Sequence, residues 1–335
     1  MIQIYTTIFL FYLTILFSII FLSMKMNLYD LPSNRKIHYT KTMNTSGLAL
    51  YIFLLSIIFF YQTSNQLEKI VLSGSIIVII GFLDDKKNLK PSIKLVLLLI
   101  PISYLIIFND FNLHDLGDYK FIGKIYLGNF GVIFSLLACG LLINAYNYID
   151  GIDGLLISIS LSGIIYLIIL HSDPNIIKFL ILFCLPLIIN LFFNFLPISN
   201  KFKIFMGNSG SLFIGFFLSF FIIVSYKFEG LHPSFLIWTC WYPVSDFLIV
   251  TFDRLINKKS FYAPDNTHFH HLIIKKFKLN HIKTTSLLTL GNMIVMYLGY
   301  LTAKNFDGIY SLILFVLFFF IFYFMRLFLI KYFKQ

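Results

Sequence analysis

The feature of this sequence that most constrains its fold is a series of long, nearly uninterrupted apolar runs. Eleven runs of about 15 to 25 residues alternate with short polar segments, and such runs are long enough for a helix to cross a bilayer. Only 12% of the 335 residues are charged, whereas soluble domains carry roughly 25%. The sequence therefore predicts an all-α, polytopic integral membrane helix bundle with about 11 transmembrane helices. The runs lie near residues 3–23, 47–62, 69–83, 93–108, 125–146, 154–171, 177–196, 210–226, 234–251, 285–303 and 308–330.

The basic residues divide unevenly between the two sets of loops that eleven spans create. Loops on one side hold 20 of the 26 Lys and Arg residues, and loops on the other side hold six. Since Lys and Arg are enriched in cytoplasmic loops, this division predicts an external N-terminus and a cytoplasmic C-terminus. The net charge of +11 indicates affinity for anionic lipids or phosphorylated substrates and does not require nucleic acid. We predict a single membrane-embedded domain, residues 1–335, with cytoplasmic loops at 24–46, 84–93, 147–154, 197–210 and 252–284.

Acidic residues are concentrated on the predicted cytoplasmic face. Asp84 and Asp85 follow the third span, and Asp150 and Asp153 follow the fifth. Neighbouring carboxylates at helix ends repel one another unless a cation or a proton relieves the repulsion. We therefore interpret Asp84 and Asp85 as a candidate site. The alternative is a solvated start of a loop, balanced by the two lysines that follow.

The segment NAYNYIDGIDGLL, residues 144–156, places polar side chains inside an apolar region. Asn144, Asn147 and Asp150 are spaced by three residues, so they lie along one side of a helix and can face a common cavity. Hydrogen bonding between helices is the alternative role for the two Asn residues. The two Asp-Gly steps break the helix, and broken backbone at membrane depth needs protein or water as a partner. This combination favours a functional site.

Two later segments carry further candidates. KIFMGNSGSLFIG, residues 203–215, has small residues at the start of the eighth span, where free N–H groups would suit a phosphate. PDNTHFHHLI, residues 264–273, has three His residues in four positions, which suggests zinc first. It lacks the H-E-x-x-H spacing and neighbouring Cys residues, so phosphate contact or proton handling near neutral pH fits better. A solvated basic loop is the alternative.

Taken in chain order, these segments resemble the cytoplasmic loops of the polyprenyl-phosphate N-acetylhexosamine-1-phosphate transferases. The matching segments are DLPSNRKIH (30–38), DDKKN (84–88), NAYNYIDGIDGL (144–155), FMGNSGSLFIG (205–215), and Arg254 followed by PDNTHFHHL (264–272). The resemblance implies a glycosyl-1-phosphate transferase of the bacterial inner membrane with its active site on the cytoplasmic face. It implies undecaprenyl phosphate and a UDP-N-acetylhexosamine as substrates, release of UMP, Mg²⁺ or Mn²⁺ as cofactor, and the initiating step of cell-envelope polysaccharide synthesis.

The resemblance also implies roles for individual residues. Asp84 and Asp85 would be catalytic, orienting or deprotonating the lipid phosphate, and Asn147 and Asn208 would hold the metal. Asn208 stands where the family usually has Asp, which removes one negative charge from the metal site, and a helix cap is its alternative role. The implied substrate-binding residues are Asn144, Asp150, Asp153, Arg254, His268, His270 and His271.

Other function classes predict different patterns. A transporter is the main alternative, because intramembrane polar residues and broken helices also mark ion pathways, but it predicts acids near the middle of the bilayer and an inverted repeat. A catalytically altered family member is a second alternative, because of Asn208. The sequence leaves open which amino sugar is transferred, which polysaccharide is made and whether the chain forms a homodimer.

Overall fold

The computed structural model describes residues 2–25, 42–61, 63–197, 200–258 and 267–332. Within these ranges the chain is almost entirely helical. The DLPSNRKIH segment lies outside the described residues, as does the start of the PDNTHFHHLI segment. The helices are α1 (Ile2–Lys25), α2 (Ser46–Phe60), α3 (Asn65–Lys87), α4 (Pro91–Ser103), α5 (Gly131–Ile149), α6 (Leu155–Leu170), α7 (Pro174–Asn194), α8 (Gly207–Lys227), α9 (Pro233–Leu236), α10 (Trp241–Ile256), α11 (Phe269–Phe277), α12 (His281–Asn305) and α13 (Gly308–Tyr332).

The helices agree with the predicted spans. Nine segments among the described residues are long and apolar enough to cross a membrane, judged by length and composition, and α2 and α6 are shorter apolar helices. Each of the eleven predicted runs corresponds to one of these segments. A 3₁₀ turn, Ile237–Cys240, joins α9 to α10, and a π turn, Tyr104–Phe108, extends α4, so both pairs form continuous spans. The prediction of an all-α polytopic membrane bundle is confirmed.

One small element departs from an all-helical chain. Strands β1 (Asp115–Tyr119) and β2 (Gly123–Tyr126) form an antiparallel hairpin in the loop before α5. Asp115 of this hairpin is buried, contacts the hydroxyl of Tyr226 and pairs with Lys124 at 3.0 Å. Asp115 thereby joins this hairpin to the end of α8.

Helix α8 lies at the centre of the bundle, in contact with α2, α3 and α5. In the 18-residue apolar stretch of α8, 89% of the residues are buried inside the protein, whereas 17% are buried in the corresponding stretch of α13. A helix that is apolar on all sides is suited to such a position, because no face of it requires water. Phe213, Phe217 and Phe221 follow one another at four-residue intervals along α8, and their neighbouring rings lie 6.4 and 5.5 Å apart.

The start of α8 is fixed by backbone contacts with the start of α2. Phe205 N–H donates to the carbonyl of Met43 at 2.8 Å, and Gly47 N–H donates to the carbonyl of Met206 at 3.3 Å. A Cβ atom at Gly47 would lie 2.3 Å from the Cα of Gly210, so only glycine allows the two helices to approach this closely. These contacts set the position of α8 beside the last turn of α3, where Asp84 and Asp85 lie.

Candidate active site

Polar side chains from four helices meet at one end of the bundle. Asp84 and Asp85 lie in the last turn of α3, Asn147 lies near the end of α5, and Asn208 lies in the first turn of α8. Together with Lys94 of α4 and Ser211 of α8 they form a continuous set of hydrogen bonds, which we call the acidic network. The structure thus brings together the residues predicted to be catalytic and those predicted to hold the metal.

Asp85 caps the start of α8. Its Oδ1 accepts the backbone N–H of Asn208 at 3.0 Å, and its Oδ2 accepts that of Ser209 at 3.4 Å. Gly207 makes this approach feasible, because it has φ +67° and a Cβ there would lie 2.7 Å from the Asp85 carboxylate. The prediction that this helix start offers free N–H groups to phosphate is therefore wrong for these two groups. They are occupied by a carboxylate from the neighbouring helix, which the helix dipole favours.

Asn208 and Asn147 connect the two acids. The Asn208 side-chain amide donates to Asp85 Oδ1 at 3.0 Å, and its oxygen accepts from the Asn147 amide at 2.7 Å. The same Asn147 amide group donates to Ser211 Oγ at 2.8 Å. The alternative role of Asn208 as a side-chain helix cap is wrong, because its side chain joins α3 to α5 and makes no capping bond to α8.

Lys94 closes the network and was missed as a site residue. Its ammonium group lies 2.8 Å from Asp84 Oδ2 and 3.1 Å from the amide oxygen of Asn147. In the sequence, Lys94 is one of the 20 basic residues whose positions predict the topology. The available signal was its position, because a lysine three residues inside an apolar helix that begins at Pro91 must find a polar partner.

The acidic network has the donor chemistry that Mg²⁺ prefers. It holds two carboxylates and two amide oxygens, all of them hard oxygen ligands. No group of three or more His, Cys, Asp or Glu side chains in the described ranges is arranged to hold a metal. A metal here would therefore use the amide oxygens of Asn147 and Asn208 in addition to carboxylate oxygens from Asp84 and Asp85.

A second set of side chains lies next to the acidic network. It consists of Tyr148, Asp246, Arg254, His268, His270 and His271, which we call the histidine cluster. The Tyr148 ring stacks on His268 with 5.4 Å between centroids, and the Arg254 guanidinium lies 5.7 Å from the same ring. Asn147 of the acidic network and Tyr148 of the histidine cluster are consecutive residues of α5, so the last turn of α5 connects the acidic network to the histidine cluster. The predicted substrate-binding residues Arg254, His268, His270 and His271 are thus brought together.

His270 is the most enclosed member of the histidine cluster. Its side chain is fully buried, and a Cβ at Gly151 would lie 2.5 Å from its Nε2, so α11 packs directly on the DGIDG turn. Burial lowers the pKa of His270 well below its ordinary value, and the neighbouring His271 lowers it further. The neutral form of His270 is therefore favoured near neutral pH, and phosphate contact or proton handling by this residue stays a prediction.

The remaining predicted residues lie elsewhere. The Asn144 amide donates to the Gly140 carbonyl at 2.7 Å, so its partner lies in its own helix and not in the acidic network. Asp150 is exposed at the end of α5. Asp153 pairs with Lys203 at 3.0 Å and with His281 at 3.1 Å.

The Asp153 pairs indicate a structural role. Burial alone would raise the pKa of Asp153, but the bonds from His281 and Lys203 lower it, so the carboxylate stays ionised. Lys203 also donates to the carbonyls of Asn194 and Leu196 at 2.8 and 2.9 Å, which uses all three of its protons. This arrangement ties together the turn after α5, the segment before α8 and the start of α12, and it leaves substrate contact by Asp153 a prediction.

The chain is similar to known sugar 1-phosphate transferases. Residues 67–226 match the family described as glycosyl transferase family 4. The probable undecaprenyl-phosphate N-acetylglucosaminyl 1-phosphate transferase of Bacillus subtilis (strain 168) is 29% identical over 275 residues, which are 78% of this chain and 73% of that protein. The undecaprenyl-phosphate alpha-N-acetylglucosaminyl 1-phosphate transferases of Escherichia coli O157:H7 and Yersinia pestis are each 28% identical, covering 80% of this chain and 75% of theirs.

Proposed function

We propose that this chain, whose residues 67–226 match glycosyl transferase family 4, transfers an N-acetylhexosamine 1-phosphate to undecaprenyl phosphate, as its relatives' names indicate for N-acetylglucosamine. The donor is a UDP-sugar, the leaving group is UMP, and the product begins a cell-envelope polysaccharide. The observation that carries the proposal is the adjacency of the acidic network and the histidine cluster through Asn147 and Tyr148. Two anionic substrates need such a pairing of oxygen ligands with cationic and hydrogen-bonding groups.

In the proposed reaction an oxygen of the lipid phosphate attacks the β-phosphorus of the UDP-sugar. A new phosphorus–oxygen bond forms, the bond between the β-phosphorus and the bridging oxygen breaks, and UMP leaves with that oxygen. Catalysis of phosphoryl transfer rests mainly on positioning and on neutralising charge. A bound Mg²⁺, held by Asn147, Asn208 and the two acids, would neutralise charge on the diphosphate.

The residues of the chain divide these tasks. Asp84 holds the Lys94 ammonium group at 2.8 Å, beside Asn147. This positive charge would attract the phosphate oxygens of the lipid and of the UDP-sugar. Asp85 fixes the start of α8 and so the position of Asn208. Arg254 in the last turn of α10 and His268 directly before α11 are suited to the sugar-phosphate end of the UDP-sugar. The active site would face the cytoplasm, where UDP-sugars are found, in agreement with the charge of the loops.

The proposal is tested with membrane vesicles of known orientation. Inverted and right-side-out vesicles containing the protein are incubated with undecaprenyl phosphate, Mg²⁺ and a panel of UDP-sugars, and released UMP is measured. Because UDP-sugars do not cross the bilayer, we expect UMP release from inverted vesicles and none from intact right-side-out vesicles. UMP release that does not depend on undecaprenyl phosphate would contradict the reaction, and equal release from both orientations would contradict the cytoplasmic site.

The metal requirement is tested by Asn208→Asp. The substitution places a second carboxylate where the Asn208 amide now donates to Asp85 at 3.0 Å, and two carboxylates this close require a cation or a proton. We expect the Mg²⁺ concentration for half-maximal activity to fall on the order of tenfold, which corresponds to about 1–2 kcal/mol for one added carboxylate. In EDTA the variant should melt at a lower temperature than the native protein, and Mg²⁺ should restore it.

Asn112→Asp is the matched control for this experiment. Asn112 lies in the loop between α4 and α5, at the opposite end of the bundle, where its side-chain oxygen accepts from Lys227 at 3.3 Å. It adds the same charge without changing the acidic network. Superimposable Mg²⁺ titrations of the native protein and Asn208→Asp would show that Asn208 holds no metal.

A further inference from the structure

Asp246 of α10 is a buried carboxylate to which the proposed reaction gives no role. Its side chain has 0% exposure. Its Oδ2 lies 2.7 Å from His268 Nδ1, and its Oδ1 accepts the backbone N–H of Phe269, the first residue of α11, at 2.9 Å. Asp246 therefore fixes both the start of α11 and the orientation of the His268 ring.

A carboxylate with no exposure is costly unless a cation accompanies it. The His268 ring is the group in direct contact with Asp246, and 2.7 Å is the distance of a charge-assisted hydrogen bond, which forms when the ring is cationic. A cationic ring carries a proton on each nitrogen. Nδ1–H donates to Asp246, and Nε2–H is the remaining donor.

The second nitrogen of His268 has no protein partner in the described part of the chain. His268 Nε2 is buried and makes no hydrogen bond to any described residue, and the same is true of both ring nitrogens of His270. A buried donor without an acceptor costs about 1–3 kcal/mol, and more when it is charged. Such a cost is recovered when a ligand supplies the acceptor, and a cationic N–H favours an anionic oxygen.

We propose that Asp246 is a positioning residue that holds His268 as an imidazolium, with Nε2–H directed at a phosphate oxygen of the UDP-sugar. The inference rests on the proposed function, because that function supplies the anionic ligand. Asp246 touches no substrate in this arrangement and acts only through His268. In this proposal the UDP-sugar site includes Tyr148, His268 and, behind His268, Asp246 of α10.

Several other groups face His268 and bear on its charge. His270 stacks on it with 5.7 Å between centroids, which disfavours a second positive charge and agrees with a neutral His270. Arg326 of α13 donates to the Thr267 carbonyl at 3.1 Å, next to His268 in the chain. The charged and titratable groups on the elements around His268 include Tyr242, Asp246, Asp253 and Arg254 of α10, Tyr148 of α5, His270 and His271 of α11, and Arg326 of α13.

Asp246→Asn tests the proposal because it keeps the shape and removes the charge. The Phe269 N–H can only donate, so the Asn oxygen must accept from it, and the Asn amide group then faces His268 Nδ1. Nδ1 becomes an acceptor, and His268 becomes neutral with its proton on Nε2. The measurement is the dissociation constant of UDP-N-acetylglucosamine for the purified full-length protein at pH 7, without lipid acceptor.

Asp246→Asn should bind UDP-N-acetylglucosamine about tenfold more weakly than the native protein at pH 7. His268→Gln should weaken binding to a similar extent, and adding Asp246→Asn to it should cause less than about a twofold further change, since interacting residues are not additive. The melting temperature of each variant is measured in parallel.

Two results would overturn the proposal, and a third would contradict the proposed transferase function on which it rests. Unchanged affinity in Asp246→Asn contradicts the positioning role. A weaker affinity in Asp246→Asn, together with a full additional loss in the double variant, reduces Asp246 to the structural role of capping α11. If the native protein binds no UDP-sugar at all, the proposed function itself fails, and the two failures are thereby distinguished.

Discussion

Replacing Asp85 by Asn is expected to lower turnover by at least roughly tenfold, about 1.4 kcal/mol of transition-state stabilisation, in a protein that still inserts into the membrane. The carboxylate accepts three hydrogen bonds at the start of α8, from the backbone of Asn208 and Ser209 and from the Asn208 side chain. An Asn side chain cannot accept all three, because its amide group is a donor. The first turn of α8, and with it Asn208, should lose its fixed position. Turnover is measured as UMP release.

Asp84→Asn should lower turnover to a similar extent by a different route, because it leaves the Lys94 ammonium group without its carboxylate partner. Asp118→Asn is the control, since Asp118 is exposed in the hairpin at the opposite end of the bundle. Asp115 is unsuitable as a control because it is buried and paired. Equal turnover in the Asp84, Asp85 and Asp118 variants would remove the two acids from the catalytic machinery.

Gly47→Ala should strongly destabilise the protein although it adds only one methyl group. The added Cβ would lie 2.3 Å from the Cα and from the backbone nitrogen of Gly210, and neither backbone atom can rotate away as a side chain does. Overpacking of this kind costs typically about 1–3 kcal/mol, and we expect a value at the upper end because the obstacle is backbone. The melting temperature of the purified protein in detergent measures the effect.

Gly291→Ala is the matched control for the glycine prediction. Gly291 lies within α12, and a Cβ there meets no atom within 4 Å. Alanine favours a helix by about 1 kcal/mol over glycine, so this variant should be as stable as the native protein or slightly more stable. Equal melting temperatures for Gly47→Ala and Gly291→Ala would mean that α2 and α8 do not require their close approach.

The helices could be predicted from the sequence because the apolar runs need no knowledge of their neighbours. Each run must form a helix in lipid, where every backbone group has to be satisfied within its own segment. Asn147 and Asn208 could also be recognised, because amides inside an apolar chain require a reason. The short helix α11 and the hairpin were missed, since both lie in polar loops whose structure is set by packing.

The contacts that define the site could not be predicted in the same way. Asp85 lies 123 positions before the helix that it caps, and Asp246 lies 22 positions before the His268 ring that it holds. Sequence spacing carries no information about such pairs, and a carboxylate that caps a distant helix resembles any other acid near a helix end. Asn144 illustrates the opposite error. Its spacing from Asn147 suggested a shared cavity, whereas its amide is satisfied by its own helix.

The central position of α8 protects the geometry of the candidate active site from changes in the thickness of the bilayer. A membrane that thickens or thins acts on the helices that touch lipid, which respond by tilting. The peripheral helix α13, with 17% of its apolar window buried, is exposed to that force, whereas α8, with 89% buried, is enclosed by protein on nearly all sides. The first turn of α8 is additionally held by the backbone of α2 and by Asp85 of α3. An enzyme that takes its acceptor from the membrane can thus keep its reacting groups aligned while the lipid composition around it changes.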